Sequence, residues 1–494
     1  MRIAVYQRNL ETLGGGERYT LDFARWFRDQ DHDVDVLAPA GTPLARAQVR
    51  LGADVDGLGQ VDVDTERPDE SASELSAAYD VFVNATHGSA AVSLARRSGV
   101  YVCHFPSVWD RVAPIASIEA PGPGGARAWV RAVEGMSFDD AQGLWTDGAG
   151  QLIAARAGRA SVAVRMRLAA RSGSWRGVPG HVEVRVDGEV TGRVRVPPVG
   201  SAGLTVRLPV ARAASWHRIA LVGDRRVERM TGRGLGVHVR DLRLVASGAA
   251  PVAPTGAPPQ LRSYAHVVAN SAFTQDWIAR RWGRAAPVVH PAVPPVDVED
   301  GTARTPSIVV VGRFFSGGHS KRQVELVHAF RRLCADGLAG WRLVLVGGVD
   351  RFGGDEYLER VQRAAAGLPV DVVVDASRAD LERRLREASI VWQASGWGEV
   401  PDERPERFEH FGIALVEAMS AGAVPVALGI GGAREIVRDG VDGLLWTERP
   451  DEPTRALAAD PARLRELSRA ARARARAYAP ELFAAKAAAA LPDL

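Results

Sequence analysis

The stretch "ERFEHFGIALVEAMSAGAVPVALGIGGAREIVRDGVDGLLW" runs from Glu406 to Trp446. Inside it, "FGIALVEAMSAG" has the apolar spacing of a helix that starts near Gly412 and ends at Gly422. "AVPVALG" follows as a short apolar strand, and a Gly-Gly pair then feeds a second helix in "GIGGAREIVRDG". Helix, strand, turn and helix in this order form one repeat of an alternating α/β domain.

The same rhythm extends upstream. "SIVVVGRF", "WRLVLVGG", "VDVVVDAS" and "SIVWQAS" are strand-like runs, with helices such as "KRQVELVHAFRRLCADG" between them. Residues 296–475 therefore read as a doubly wound parallel sheet. Residues 1–115 show the pattern again, in "RIAVY", "DVDVLA", "YDVFVNAT" and "GVYVCHF", and it resumes over 259–295 in "YAHVVANSAFTQDWIARRWG". Between Pro/Gly-rich breaks, residues 116–258 lose the helical period. They show period-two runs instead, and "HVEVRVDGEVTGRVRV" carries an Asp187-Gly188 hairpin signal. This segment reads as a β-sandwich (jelly-roll-like) inserted into the first α/β domain. Residues 476–494 form a C-terminal helix or tail.

The 494 residues exceed one hydrophobic core. The net charge of +3 and the scattered basic residues give no reason to expect a nucleic-acid partner. Cys103 and Cys334 lack metal spacing and read as reduced thiols of a cytoplasmic protein. The opening "MRIAVYQRNL" lacks signal-peptide character, and no apolar run reaches membrane-span length. Among 62 basic residues, only Lys321 and Lys486 are lysine. In so arginine-rich a chain, Lys321 marks a place where a compact ammonium suits better than a planar fork. Lys486, in an alanine-rich tail, reads as chance.

Several residues could carry chemistry. Glu417 falls on the second turn of the "FGI" helix and Glu409 just before it. The amides of Phe411, Gly412 and Ile413 open toward an anion. A carboxylate offers two acceptor oxygens to vicinal hydroxyls. Taken alone, the pair reads as a capping acid and a solvated glutamate. After the strand "VVV" come Gly312 and Arg313, then a loop with Gly317 and Gly318, then Lys321. Arg313 and Lys321 can converge on a diphosphate. Gly431 and Gly432 offer either an anion-binding turn or a tight connection. Gly14, Gly15 and Gly16 allow close approach at the first βα turn, without a dinucleotide fingerprint. His104 ends a strand facing the expected cleft, and His87 is a weaker candidate. In the tail, Leu464, Leu467, Ala471, Ala475 and Tyr478 form one apolar stripe. The chain has no P-loop, no Ser/His/Asp elbow and no zinc spacing.

In this order, "GGGERY", "YVCHFPS", "VVANSAFTQDWIARRWG", "VGRF" with Lys321, and "EHFGIALVEAMSAGAVPVA" with "GGAREIVRDGVDGLLW" resemble the family-four retaining glycosyltransferases. The resemblance covers about three quarters of the chain, and the last block is its most specific part. It implies a GT-B fold: two Rossmann-like domains facing a cleft, the first on the acceptor side and the second binding a nucleotide sugar. His410 stands where many relatives have proline.

Carried over residue by residue, the resemblance implies that Arg313 and Lys321 hold the donor diphosphate. Glu409 contacts the donor sugar beside Phe411, Gly412 and Ile413, and Glu417 binds the ribose. His104 lies near the reacting face; Gly15 and Gly16, with Gly312, line the phosphate side. The implied reaction is a retaining, metal-independent hexosyl transfer to a glycan or lipid-linked glycan. GDP-mannose is the donor favoured by family prevalence. The protein would be cytoplasmic, with at most peripheral membrane contact. A nucleotide-sugar 2-epimerase or hydrolase on the same fold, and a non-catalytic glycan-binding protein, remain as alternatives.

Overall fold

The computed structural model describes the chain except for residues 42–43, 107–116, 120–126, 133–135, 140–142, 147–148, 158–160, 170–179, 198–199, 210–214, 224–225, 228–233, 247–249, 253–258, 299–303, 318–319 and 351–353. It forms two compact units: Met1–Val108 with Gln260–Leu494, and Trp109–Pro259.

The first unit holds two six-stranded parallel sheets. One runs in the order His266–Ala269, Ser98–Cys103, Val81–Asn84, Arg2–Tyr6, Asp33–Pro39 and Gly59–Val63. The other runs Val370–Val374, Arg342–Gly347, Thr305–Val311, Ala388–Gln393, Val424–Leu428 and Leu444–Trp446. Both are doubly wound, with the order reversing beside the first strand. That reversal leaves a crevice at the carboxyl ends of Arg2–Tyr6 and Val81–Asn84 in one sheet. In the other, the crevice lies at the ends of Thr305–Val311 and Ala388–Gln393. These strands are near-continuous apolar runs because helices cover both faces of a parallel sheet. In Ala388–Gln393, all six residues are buried.

The helix Gly15–Arg28 shows how the sequence builds such a layer. Glu17 at its start accepts the Gly14 amide at 2.7 Å, occupying a donor ahead of the first turn. Tyr19, Phe23 and Phe27 then repeat every four residues and bury one face in the first core.

The C-terminal end is not a detached tail. Helix Pro461–Ala475 buries Leu467, Ala471 and Ala475 against the second domain. Helix Pro480–Ala490 returns to the first domain, placing Phe483 and Ala487, with Leu491 just beyond it, in the core beneath Tyr19 and Phe23. The connection between the domains is equally committed: Val289 and Ala292 belong to the first core, Val293 and Val296 to the second.

The second unit contains antiparallel sheets of seven and five strands. Alternate residues from both, including Val130, Leu152, Val184 and Ile219 from one and Val164, Met166, Val206 and Val239 from the other, meet in a single core, which makes the unit a sandwich. Asp187 and Gly188 both have positive φ, 52° and 88°, and join strands Gly180–Val186 and Glu189–Val196. That is the turn an Asp-Gly pair favours.

Candidate active site

Helix Ile413–Ser420 is entered through Gly412, whose φ of 114° is closed to ordinary side chains. Its first bonds are from the Leu415 and Val416 amides to the Gly412 carbonyl. The amides of Phe411, Gly412 and Ile413 therefore stand ahead of the helical ladder, at the positive end of its dipole. The start of Gly15–Arg28 faces this end across the first unit. A Cβ built on Gly15 would lie 3.2 Å from the Ile413 Cδ1. Two helix N-termini thus converge where a diphosphate would be most favoured.

Lys321 and Glu409 meet directly, Nζ to Oε2, at 2.5 Å, and Ser395 Oγ donates to the same carboxylate oxygen at 3.4 Å. Gly312 makes room for Lys321, since a Cβ there would fall 2.4 Å from the Lys321 Cγ. Arg313 follows at the crevice. Its Nη1 pairs with Asp350 at 3.1 Å, and its charge reaches Glu17, whose carboxyl is raised by burial and lowered by neighbours including Arg313. No direct bond joins Arg313 to Lys321 among the described residues. Gly317 lies beside the Phe315 ring, and Gly318 lies outside the described residues.

Glu417 is more enclosed than a solvated helical glutamate. Its Oε1 accepts from Arg378 Nη1 at 2.6 Å and from Arg18 Nη1 at 3.0 Å. Arg18 and Glu417 keep only 7% and 6% of their side-chain exposure. Arg18 sits in the first turn of Gly15–Arg28, so this ion pair spans the two Rossmann-like domains. Burial works against the Arg378 charge, but Glu417 and Glu382 outweigh it and raise its pKa. Sequence reading missed both arginines, because in an arginine-rich chain neither stands out.

His104 Nε2 lies 2.7 Å from the Ala85 carbonyl, so the ring carries its proton on Nε2. Burial lowers its pKa, which leaves a neutral imidazole with Nδ1 as acceptor. That edge faces Gly16, where a Cβ would sit 3.4 Å from Cε1 and 3.6 Å from Nδ1. His87 stacks edge-on to His104, with ring centroids 6.5 Å apart.

The glycine pair after the next strand serves packing. The Gly432 amide donates to the Glu409 carbonyl at 2.7 Å, and a Cβ on Gly431 would lie 2.5 Å from that oxygen. This contact is a tight connection that braces the Glu409 loop. His410 stacks on Phe105 of the first domain, centroids 4.4 Å apart and planes 12° from parallel. Arg281 caps the same Phe105 ring at 5.4 Å and binds Glu406 at 3.4 Å. The histidine that replaces proline is therefore an interdomain contact.

Glu435 and Lys486 also acquire a setting. Lys486 Nζ reaches His290 Nδ1 at 2.5 Å, His290 Nε2 bonds Glu435 Oε1, and Glu435 Oε2 accepts the Ala272 amide at 2.7 Å. This chain ties the C-terminal helix, the interdomain connection and both domains together. Chance does not account for Lys486 there.

Gln393 was also missed. It is the last residue of Ala388–Gln393, is 7% exposed, and among the described residues has no hydrogen-bond partner for either amide atom. A buried unpaired amide at a sheet's ligand crevice is costly unless something else satisfies it. Among the described residues, no group of three or more His, Cys, Asp or Glu is placed to hold a metal ion, and no helix is long and apolar enough to cross a membrane.

Comparison with known proteins places these features in context. Residues 301–478 match the family model "Glycosyl transferases group 1". A GDP-mannose:cellobiosyl-diphosphopolyprenol alpha-mannosyltransferase of Komagataeibacter xylinus is 27% identical over 190 residues, which are 38% of this chain and 44% of that protein. The chain thus spans less than half the length of that relative. Among solved structures, Anabaena Alr3699/HepE in complex with UDP and glucose superposes with a TM-score of 0.54 at 14% identity, over the whole of both chains. Sucrose-phosphate synthase from Thermosynechococcus elongatus gives 0.53 at 14%, over 99% of this chain and 98% of that one. At such identity the likeness is one of fold, and it is that of GT-B: two Rossmann-like domains, here with antiparallel sheets inserted after the first domain's fifth strand.

Proposed function

We propose, from the premise that this chain belongs to the group 1 glycosyltransferases with the GT-B fold, that it transfers a hexose, with retention, from a nucleotide diphosphate sugar to a glycan or lipid-linked glycan. The observation that carries the reading is the Lys321–Glu409 pair, set at the crevice of the second sheet before two facing helix N-termini. Few structural needs call for a lysine and a glutamate locked together at an anion-attracting place.

Each group then has a task. Lys321 and Arg313 hold the diphosphate and stabilise the charge that grows as it leaves. One such donor is commonly worth about 3–4 kcal/mol. Lys321 turns from Glu409 to the phosphate when donor enters, and Glu409 is released to orient the sugar hydroxyls. The amides of Phe411, Gly412 and Ile413, with the glycine turn at Gly15 and Gly16, complete the cradle. Glu417, fixed through Oε1 by its arginines, offers Oε2 to the ribose. Neutral His104 accepts a hydrogen bond from a sugar hydroxyl at Nδ1. The departing diphosphate takes the acceptor proton on the face it leaves, which retains the anomeric configuration. Gln393 finds a partner for its amide in the bound donor.

GDP-mannose is the donor we infer, supported by the K. xylinus relative whose name specifies it. The same name, with its diphosphopolyprenol acceptor, supports a lipid-linked glycan as the acceptor. Product analysis by NMR tests the reading. With GDP-mannose and a lipid-linked oligosaccharide, an α-mannosylated product should form. Free mannose in equal amount with and without acceptor would mean a hydrolase, and GDP-glucose an epimerase; either overturns the transferase.

A further inference from the structure

Among the described residues, one face of the inserted sandwich carries five arginines that no acid pairs. Strands Val162–Ala169, Ser201–Arg207 and His238–Ala246 lie side by side in its five-stranded sheet. In register, Arg165 stands opposite Arg243 and Arg167 opposite Arg240, while Arg207 stands opposite Ala163. Directly opposed residues share a face, and so do residues two apart on one strand. All five arginines therefore project from one side and are exposed, while Val162, Val164, Met166, Leu168, Val206 and Leu244 fill the core on the other.

This arrangement is unfavourable left to itself, since like charges directly opposite destabilise a sheet. The same unit shows the ordinary remedy. On the seven-stranded sheet, Arg185 and Arg193 are both bound by Glu183, at 2.7 and 3.0 Å. On the arginine face, the one acid of the three strands is Asp241, at a bulge with φ 49°. Among the described residues it forms no ion pair with any of the five. Arg167 and Arg240 are steadied through Nε by neutral partners, Ser201 Oγ at 2.8 Å and His238 Nδ1 at 2.7 Å. These contacts orient the guanidinium groups without cancelling their charge.

We propose that this face binds an acidic polysaccharide, a chain bearing carboxylate groups along its length. Planar guanidinium forks match carboxylates with paired hydrogen bonds. Among the described residues, the exposed large apolar side chains lie elsewhere, so the three arginine-bearing strands offer nothing to insert into a lipid surface. The three strands that carry the arginines hold no Phe, Tyr or Trp, so these strands offer bases no broad stacking platform. The inference rests on the surface alone and survives if the transfer reaction fails.

The test is calorimetric titration of the full chain with polygalacturonate oligosaccharides, with neutral dextran and phosphatidylglycerol vesicles as separate arms. Polygalacturonate should bind, more weakly as salt rises, and dextran should not. The pair Arg165→Thr with Arg243→Thr, which keeps strand propensity, should weaken binding about tenfold or more. Arg185→Thr with Arg193→Thr on the opposite sheet should change it by no more than about twofold. Arg165→Lys with Arg243→Lys keeps the charge and should fall between, which guards against a folding defect in the threonine variant. No polygalacturonate binding, equal loss in both threonine pairs, or binding to vesicles in preference to polygalacturonate would each overturn the proposal.

Discussion

Replacing Glu417 by glutamine removes one negative charge and little volume, and the structure sets the size of the effect. The carboxylate is the acid paired with Arg18 Nη1 at 3.0 Å, where Arg18 keeps 7% of its side-chain exposure. Arg378 also loses a bond, but it retains Glu382 at 2.7 Å and is the more exposed of the two. The cost therefore falls mainly on Arg18. Leaving one buried charge unpaired is commonly worth about 3–5 kcal/mol, and the lower end applies because the glutamine carbonyl can still accept one bond. For a unit of this size, unfolding entropy of about 2 cal/mol/K per residue makes 3 kcal/mol equivalent to roughly 4 °C. The assay is thermal unfolding of the parent, Glu417→Gln, Arg18→Met and the double variant, each also titrated with donor. We expect a midpoint lower by about 4 °C in Glu417→Gln, a smaller loss in Arg18→Met, where Glu417 keeps Arg378 at 2.6 Å, and a clearly sub-additive loss in the double, with a coupling of about 2 kcal/mol. Donor affinity should fall with Glu417→Gln and hold or rise with Arg18→Met, which frees the carboxylate from its interdomain partner. Additive losses, or single variants within about 0.5 kcal/mol of the parent, would refute a buried interdomain pair.

Other changes test separate parts of the account. Lys321→Ala should lower kcat about a hundredfold or more while the fold remains intact; near-parental turnover in steady-state kinetics would remove it from the site. His410→Ala should lower kcat more than it weakens donor binding, since it deletes a stack worth about 0.5–1.5 kcal/mol between domains; His410→Phe should restore the rate, and a loss confined to donor affinity would contradict the positioning role. Asp22 is buried and pushed up to about 7, by burial first, against the pull of Arg18 and Arg25. The folded state therefore holds a proton that the unfolded chain releases near the ordinary aspartate value, so its contribution falls as pH rises toward 7 and is level above. Asp22→Asn, which can still accept the Ala292 amide, should flatten stability between pH 5 and 7 and exceed the parent at pH 8 by about 4 kcal/mol. An unchanged pH slope in thermal unfolding would reject this.

Alternating apolar runs and glycine turns made both Rossmann-like sheets legible, because a parallel strand buried on two faces has few other ways to be written. The period-two runs and Asp187-Gly188 did the same for the inserted sheets. The place of Lys321 and Glu409 was readable because lysine is rare here and because a glycine-led helix follows the glutamate. What escaped reading depended on distance along the chain. Arg18 meets Glu417, Phe105 meets His410, and Lys486 meets His290 only after two domains have folded and the last helix has returned to the first core. No local pattern encodes such pairs. Gln393 was hidden differently: in sequence it is one polar residue at a strand end, and only its lack of partners in the folded chain marks it.

The central claim, that one pocket assembles around a nucleotide diphosphate sugar, is tested most directly by calorimetric titration of the full chain with GDP-mannose, UDP-glucose and their free nucleoside diphosphates. The account predicts saturable binding of one donor per chain, with GDP-mannose the tighter, and a loss of that binding when Lys321→Ala and Glu417→Gln are combined. Absence of binding to every nucleotide sugar, or equal binding by the combined variant, would contradict it.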